Sequence, residues 1–167
     1  MSRENYLETS GTYRAMPYWV VVSPTMGYRC GYVGIPDCIH TKWNELATIE
    51  EDGEELAGTD HIYEAGINCH GGVTFETQMK GDADWYECFE GMMIGFDCAH
   101  AWDGTDPELL SDNGLELGHR MKGEVRTKDF CIAECESIID QLWSGPSGDE
   151  MKGVLTELEY QLKKENI

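Results

Sequence analysis

Apolar and polar positions alternate in short runs through the N-terminal part of the chain and recur at helical spacing towards the C-terminus. Tyr18-Trp19-Val20-Val21-Val22 is β-branched and aromatic, which predicts a strand. Ser23 to Gly27 is a turn cluster, and Tyr28 to Ile35 is a second strand closed by Pro36. The two strands make a plausible hairpin. Thr41 is placed to cap a short helix through Ile49 that carries Trp43, Leu46 and Ala47. Ile67 to Glu76 predicts a strand, residues 77–90 a polar loop with three aromatics, and Gly91 to Cys98 another strand. From His100 to Glu124 the chain has no periodicity, and a loop that long is often functional.

Helical spacing then takes over. Thr127 can cap a helix whose one face carries Cys131, Cys135, Ile138, Ile139 and Leu142. Gly145 and Pro146 stop it. Ser147 and Glu150 match a capping box for a second helix with Met151, Val154, Leu155, Leu158 and Leu162 on one stripe. The expected fold is α+β: a mainly antiparallel sheet of four or more strands with two C-terminal amphipathic helices. One domain is expected over 1–167, with 1–16 a mobile arm and 127–164 the helical C-terminal part.

Composition narrows the partners. The 32 acidic and 12 basic residues give a formal charge of −20. That field repels nucleic acid and anionic membranes, and it favours cations or basic partners. An anionic ligand needs local donors or a metal to overcome it. The acidic run Glu50 to Glu55 reads as a solvated loop, since it lacks the EF-hand spacing. No run reaches the roughly 20 apolar residues of a membrane span. The first thirteen residues hold no apolar leader core, so a cytoplasmic location is expected. The seven cysteines are odd in number and include no Cys-x-x-Cys, which predicts reduced thiols.

Candidate chemistry converges on two strand ends. Strand alternation puts Met92, Ile94, Phe96 and Cys98 on one face and Met93, Gly95 and Asp97 on the other. It likewise groups Asn68, His70, Thr74 and Glu76. If the strands are neighbours, His70, Thr74 and Asp97 lie together, with Gly72 and Gly95 leaving room above them. His100, Trp102 and Asp103 follow at the strand exit. His70, Asp97, His100 and Asp103 could ligate a divalent metal and activate water. His70, His100 and Asp97 could instead serve as general acid and base. The same groups could simply hydrogen-bond a ligand. A buried Asp–His pair that only satisfies backbone groups near a turn is the competing reading. A zinc site from Cys69, His70, Cys98 and His100 is disfavoured, because adjacent strand residues point to opposite faces.

Met26-Gly27-Tyr28-Arg29-Cys30-Gly31-Tyr32-Val33-Gly34-Ile35-Pro36, His70-Gly71-Gly72-Val73-Thr74-Phe75 and Ile94-Gly95-Phe96-Asp97-Cys98-Ala99-His100-Ala101-Trp102-Asp103 occur in that order, followed by Glu134-Cys135-Glu136-Ser137. This arrangement resembles a family of small, mostly uncharacterised bacteriophage-encoded proteins, over roughly Met26 to Trp143. The chain departs from that pattern in a longer acidic segment between Pro36 and His70, in Trp102 where a small residue is usual, and in an added C-terminal helix. The resemblance implies an accessory protein in the host cytosol that antagonises defence, by sequestering a nucleotide-derived immune signal, by cleaving it as a hydrolase, or by acidic mimicry of DNA. The expected ligand face is then Arg29 on phosphate, Asp97 on ribose, Trp102 or Tyr32 on a base, and His70, Thr74, His100 and Asp103 around them. A homo-oligomer is expected, as small binding domains often complete pockets across interfaces.

Overall fold

A computed structural model describes residues 5–47, 62–81, 85–86, 88–110, 120–146, 160 and 164. Five antiparallel strands form one sheet in the order β1-β2-β3-β5-β4: β1 Tyr6–Tyr13, β2 Met16–Ser23, β3 Tyr28–Ile35, β4 Phe75–Lys80 and β5 Glu90–Asp97. A short parallel pair joins β6 Asp103–Gly104 to β7 Glu124–Val125. The helices are α1 Asp37–Ala47, α2 Ile62–Gly66 and α3 Lys128–Ser144. The α+β class, the antiparallel sheet and the first C-terminal helix are as expected. The second predicted helix lies outside the described residues, except that Tyr160 and Lys164 are helical.

Residues 6–13 are not an arm. They form the edge strand β1, hydrogen-bonded along β2. The turn joining them is two residues long, with Arg14 at φ 45° and Ala15 at φ 69°. Positive φ at both central positions matches the right-handed twist of a hairpin, and Asn-Gly usually supplies it. Arg14-Ala15 carries no such signal. The strand register shifts between Leu7 and Thr9, leaving Glu8 as the extra residue of a bulge.

β5 alternates as expected. Ile94, Phe96 and Cys98 join the larger core with Val20, Val33, Ile35 and the buried stripe of α3. Met93 joins Trp19 and Val21 on the opposite face. That second face is covered by Trp85, Tyr86 and Phe89, from the stretch expected to be a polar loop. Part of that stretch, Thr77 to Lys80, is strand β4 instead. Helix α1 begins directly after Pro36, whose carbonyl accepts from the Ile39 and His40 amides. Thr41 is therefore inside the helix and not its cap. Trp43 is fully buried and donates its indole N–H to the Leu142 carbonyl at 2.8 Å, tying α1 to α3. Thr127 caps α3 as expected, its hydroxyl accepting from the Phe130 amide at 3.1 Å. All seven cysteines are free thiols. Among the described residues no helix is long and apolar enough to cross a membrane.

Candidate functional site

The predicted strand over Ile67–Glu76 does not extend through His70. Residues 67–74 are irregular, and β4 starts only at Phe75. The Gly72 amide donates to the Cys69 carbonyl at 2.9 Å, and Gly71 sits at φ 69° in that turn. Glycine adopts that φ without the Cβ penalty. A Cβ on Gly71 would also run into the His100 ring. Helix α3 straps the segment down. Gln141 receives the Asn68 amide and donates to its carbonyl, both at 2.7 Å, and Glu134 accepts from the His70 amide at 3.3 Å.

The His70 side chain consequently turns away from the sheet face and towards Asp103. Its Nε2 lies 2.8 Å from Asp103 Oδ1 and 2.9 Å from Oδ2. His100 Nδ1 lies 3.0 Å from Oδ2, and the His100 amide donates to the same oxygen at 3.0 Å. Arg126 Nε donates to Oδ1 at 2.8 Å. Asp103 is fully buried beneath these donors. Burial alone would raise its pKa, but hydrogen bonds from His70, Arg126 and His100 outweigh that and hold the carboxyl down to about 2. The Asp103 backbone is equally fixed. Its amide donates to the His100 carbonyl, and its carbonyl accepts from Gly123 across the β6–β7 pair.

A second carboxylate stands beside this hub. Asp97 Oδ2 accepts from the Thr74 hydroxyl at 3.0 Å, and Oδ1 accepts from the Ala99 amide at 3.0 Å. Asp97 Oδ1 is 3.7 Å from His100 Nε2. With Nδ1 engaged by Asp103, the His100 ring turns its Nε2 edge towards Asp97. Trp102 lies over the other side of that ring, parallel to it at 5.0 Å and 9°, and is 55% exposed. His70 packs edge-on against His100 at 5.3 Å and against Phe130 at 5.2 Å. Phe130 also carries the Arg126 guanidinium over its ring at 5.1 Å.

Thus His70, Thr74, Asp97, His100, Trp102 and Asp103 do assemble, through the 67–74 turn and the 98–103 exit loop. Two expected ligand contacts do not join them. Arg29 is buried and already held. Its guanidinium donates to Glu8 at 2.6 and 3.0 Å, to Asp106 at 3.1 Å and to the Arg126 carbonyl at 3.0 Å. It braces the site from behind instead of facing an anion. Tyr32 packs between Phe75 at 5.2 Å and Trp85 at 4.3 Å. Its ring also fills the space expected above Gly95, where a Cβ would come within 2.5 Å of it. The Gly72 position is open, with nothing within 4 Å of where a Cβ would stand. A cleft of about 270 Å³ adjoins Thr74, lined by Glu64, Val73, Phe75 and Glu76.

Arg126 is the site residue that the strand pattern missed. It directly precedes the Thr127 cap, so the start of α3 delivers it to Asp103. Its signal was scarcity, a cation beside a helix cap in a chain of net charge −20. The three groups His70, His100 and Asp103 offer ligand atoms within 4.8 Å of one another and could hold a metal ion. Among the described residues Cys69 and Cys98 do not join that group. No family model, no curated protein and no solved structure matches the chain.

Proposed function

We propose that the Asp103 cluster and Trp102 bind a small polar ligand of nucleotide type. The observation that carries this reading is the exposed Trp102 indole, stacked on a histidine whose ring Asp103 holds in place. An exposed tryptophan that is pre-ordered on one face offers the other to a base, at about 1–3 kcal/mol per stacked base. Asp97 and Thr74 supply polar contacts beside it. Arg126, His70 and His100 converge on the Asp103 carboxylate and offset its charge locally. The family resemblance adds the role of an accessory protein that sequesters a host immune signal in the host cytosol; a homo-oligomer is proposed because small binding domains often complete pockets across interfaces.

A second reading has one specific observation in its favour. Asp103 holds His100 through Nδ1, on the opposite side of the ring from Nε2, which is the arrangement of a general base oriented by a carboxylate. In that reading the ligand is hydrolysed. A thermal-shift panel of cyclic and ADP-ribose-type nucleotides tests binding. Wild type should gain stability with at least one member, and Trp102→Ala should lose that gain. Equal shifts in both proteins would remove Trp102 from the ligand site.

A further inference from the structure

We propose that His70 Nε2, His100 Nδ1 and Asp103 Oδ2 form a three-ligand site for a zinc-class divalent ion, with a fourth position open to water. This goes beyond the nucleotide reading and does not depend on it. Two imidazole nitrogens with one carboxylate suit Zn²⁺, Co²⁺ or Ni²⁺ better than Mg²⁺ or Ca²⁺, which prefer all-oxygen shells. Oδ2 lies 2.9 Å from the His70 nitrogen and 3.0 Å from the His100 nitrogen. In a tetrahedral site with bonds of about 2.0–2.1 Å, ligand atoms stand about 3.4 Å apart. These pairs therefore need to open by about half an ångström, as N–H···O bonds give way to metal bonds.

Proton balance favours the exchange at His100. An imidazole that donates to Asp103 carries its proton on the nitrogen that the ion would take. When the ion takes that nitrogen, the proton moves to the ring's other nitrogen, and no net proton is released from the ring. For His100 that nitrogen is Nε2, and Asp97 Oδ1 stands 3.7 Å away to receive it. Asp97 is itself pinned by Thr74 and Ala99. A carboxylate behind a ligating histidine is the usual support of such sites, worth about 10–100-fold in metal affinity. Arg126 stays on Asp103 Oδ1 and orients the carboxylate. Its positive charge opposes the ion, and the −20 charge of the chain offsets it at longer range.

The test uses the full chain, stripped with a chelator and kept reduced. Co²⁺ is titrated by absorbance and Zn²⁺ by calorimetry. The expected result is one equivalent bound, visible ligand-field bands, no intense sulfur-to-cobalt charge-transfer band, and little competition from excess Mg²⁺. H70Q and H100Q should each weaken binding more than 100-fold, and D97N by about 10–100-fold. X-ray absorption of the zinc-loaded wild type needs no variant, and it should show nitrogen and oxygen neighbours with no sulfur. A sulfur shell, binding retained in both histidine variants, or no binding by wild type would each overturn the proposal.

Discussion

Replacing Asp103 with asparagine tests the hub at its centre. The fully buried carboxylate accepts from two imidazoles, a guanidinium and a backbone amide. The asparagine side chain would keep one acceptor oxygen and place an N–H₂ group against existing donors. The folded pKa of about 2, against an ordinary 3.8, corresponds to nearly two units at about 1.4 kcal/mol each. That amounts to roughly 2 kcal/mol of stability held by the charged form, and the donor clash takes the expected loss at pH 7 to about 3 kcal/mol. For a domain of this size that lowers Tm by about 6–12 °C. The sign of the pH effect follows from the depressed pKa. The contribution is complete above the unfolded value near 4 and is lost as pH falls towards 2. The gap between wild type and D103N should therefore narrow by roughly 2 kcal/mol across that window. Urea melts followed by circular dichroism at pH 7 and at steps below pH 4 measure both effects. A variant within about 0.5 kcal/mol of wild type at pH 7, or a gap that stays constant on acidification, would refute the hub.

Other perturbations probe separate parts. Gly71→Ala forces a side chain into φ 69° and into the His100 ring, so it should cost at least about 2 kcal/mol and broaden the His100 ring resonances in NMR spectra. Arg29→Met leaves Glu8 and Asp106 without their shared guanidinium, and chemical denaturation should show a loss of about 3 kcal/mol. Trp102→Ala should leave Tm within about 2 °C of wild type, since the indole is 55% exposed, yet weaken any stacked ligand by about 5–150-fold. Thiol titration should find Cys88 reacting first. Cys30, which burial pushes up to about 12, and Cys98, raised by its 3.8 Å contact with Cys131 and by burial, should react only on unfolding.

Sequence pattern was most informative where one physical cause dominated. β5 and α3 read correctly because their apolar periods match the faces they bury. β1 escaped because an edge strand needs no apolar stripe, and its turn uses Arg14-Ala15 in a conformation that usually marks glycine. Strand alternation groups His70 with Thr74 and Asp97, yet the Gly71 turn breaks the strand and sends His70 to Asp103. His70, Thr74, Asp97 and His100 still come together, through that turn and not along one strand. Arg29 shows the opposite failure. Its chemistry suits an anion, but a bulge in β1 delivers the Glu8 carboxylate to it first. Local pattern carries no information on such long-range pairings, and both Arg29–Glu8 and Arg126–Asp103 depend on them.

Whether the Trp102–His100 face holds the proposed nucleotide-type ligand is decided by the fate of that ligand. Purified protein is incubated with cyclic and ADP-ribose-type nucleotides and filtered, the filtrate is chromatographed, and the retained protein is heat-denatured to release what it holds. One nucleotide should leave the filtrate with wild type, return intact on denaturation, and stay in the filtrate with Trp102→Ala. A panel left wholly in the filtrate by wild type, or captured equally by both proteins, would contradict the nucleotide reading.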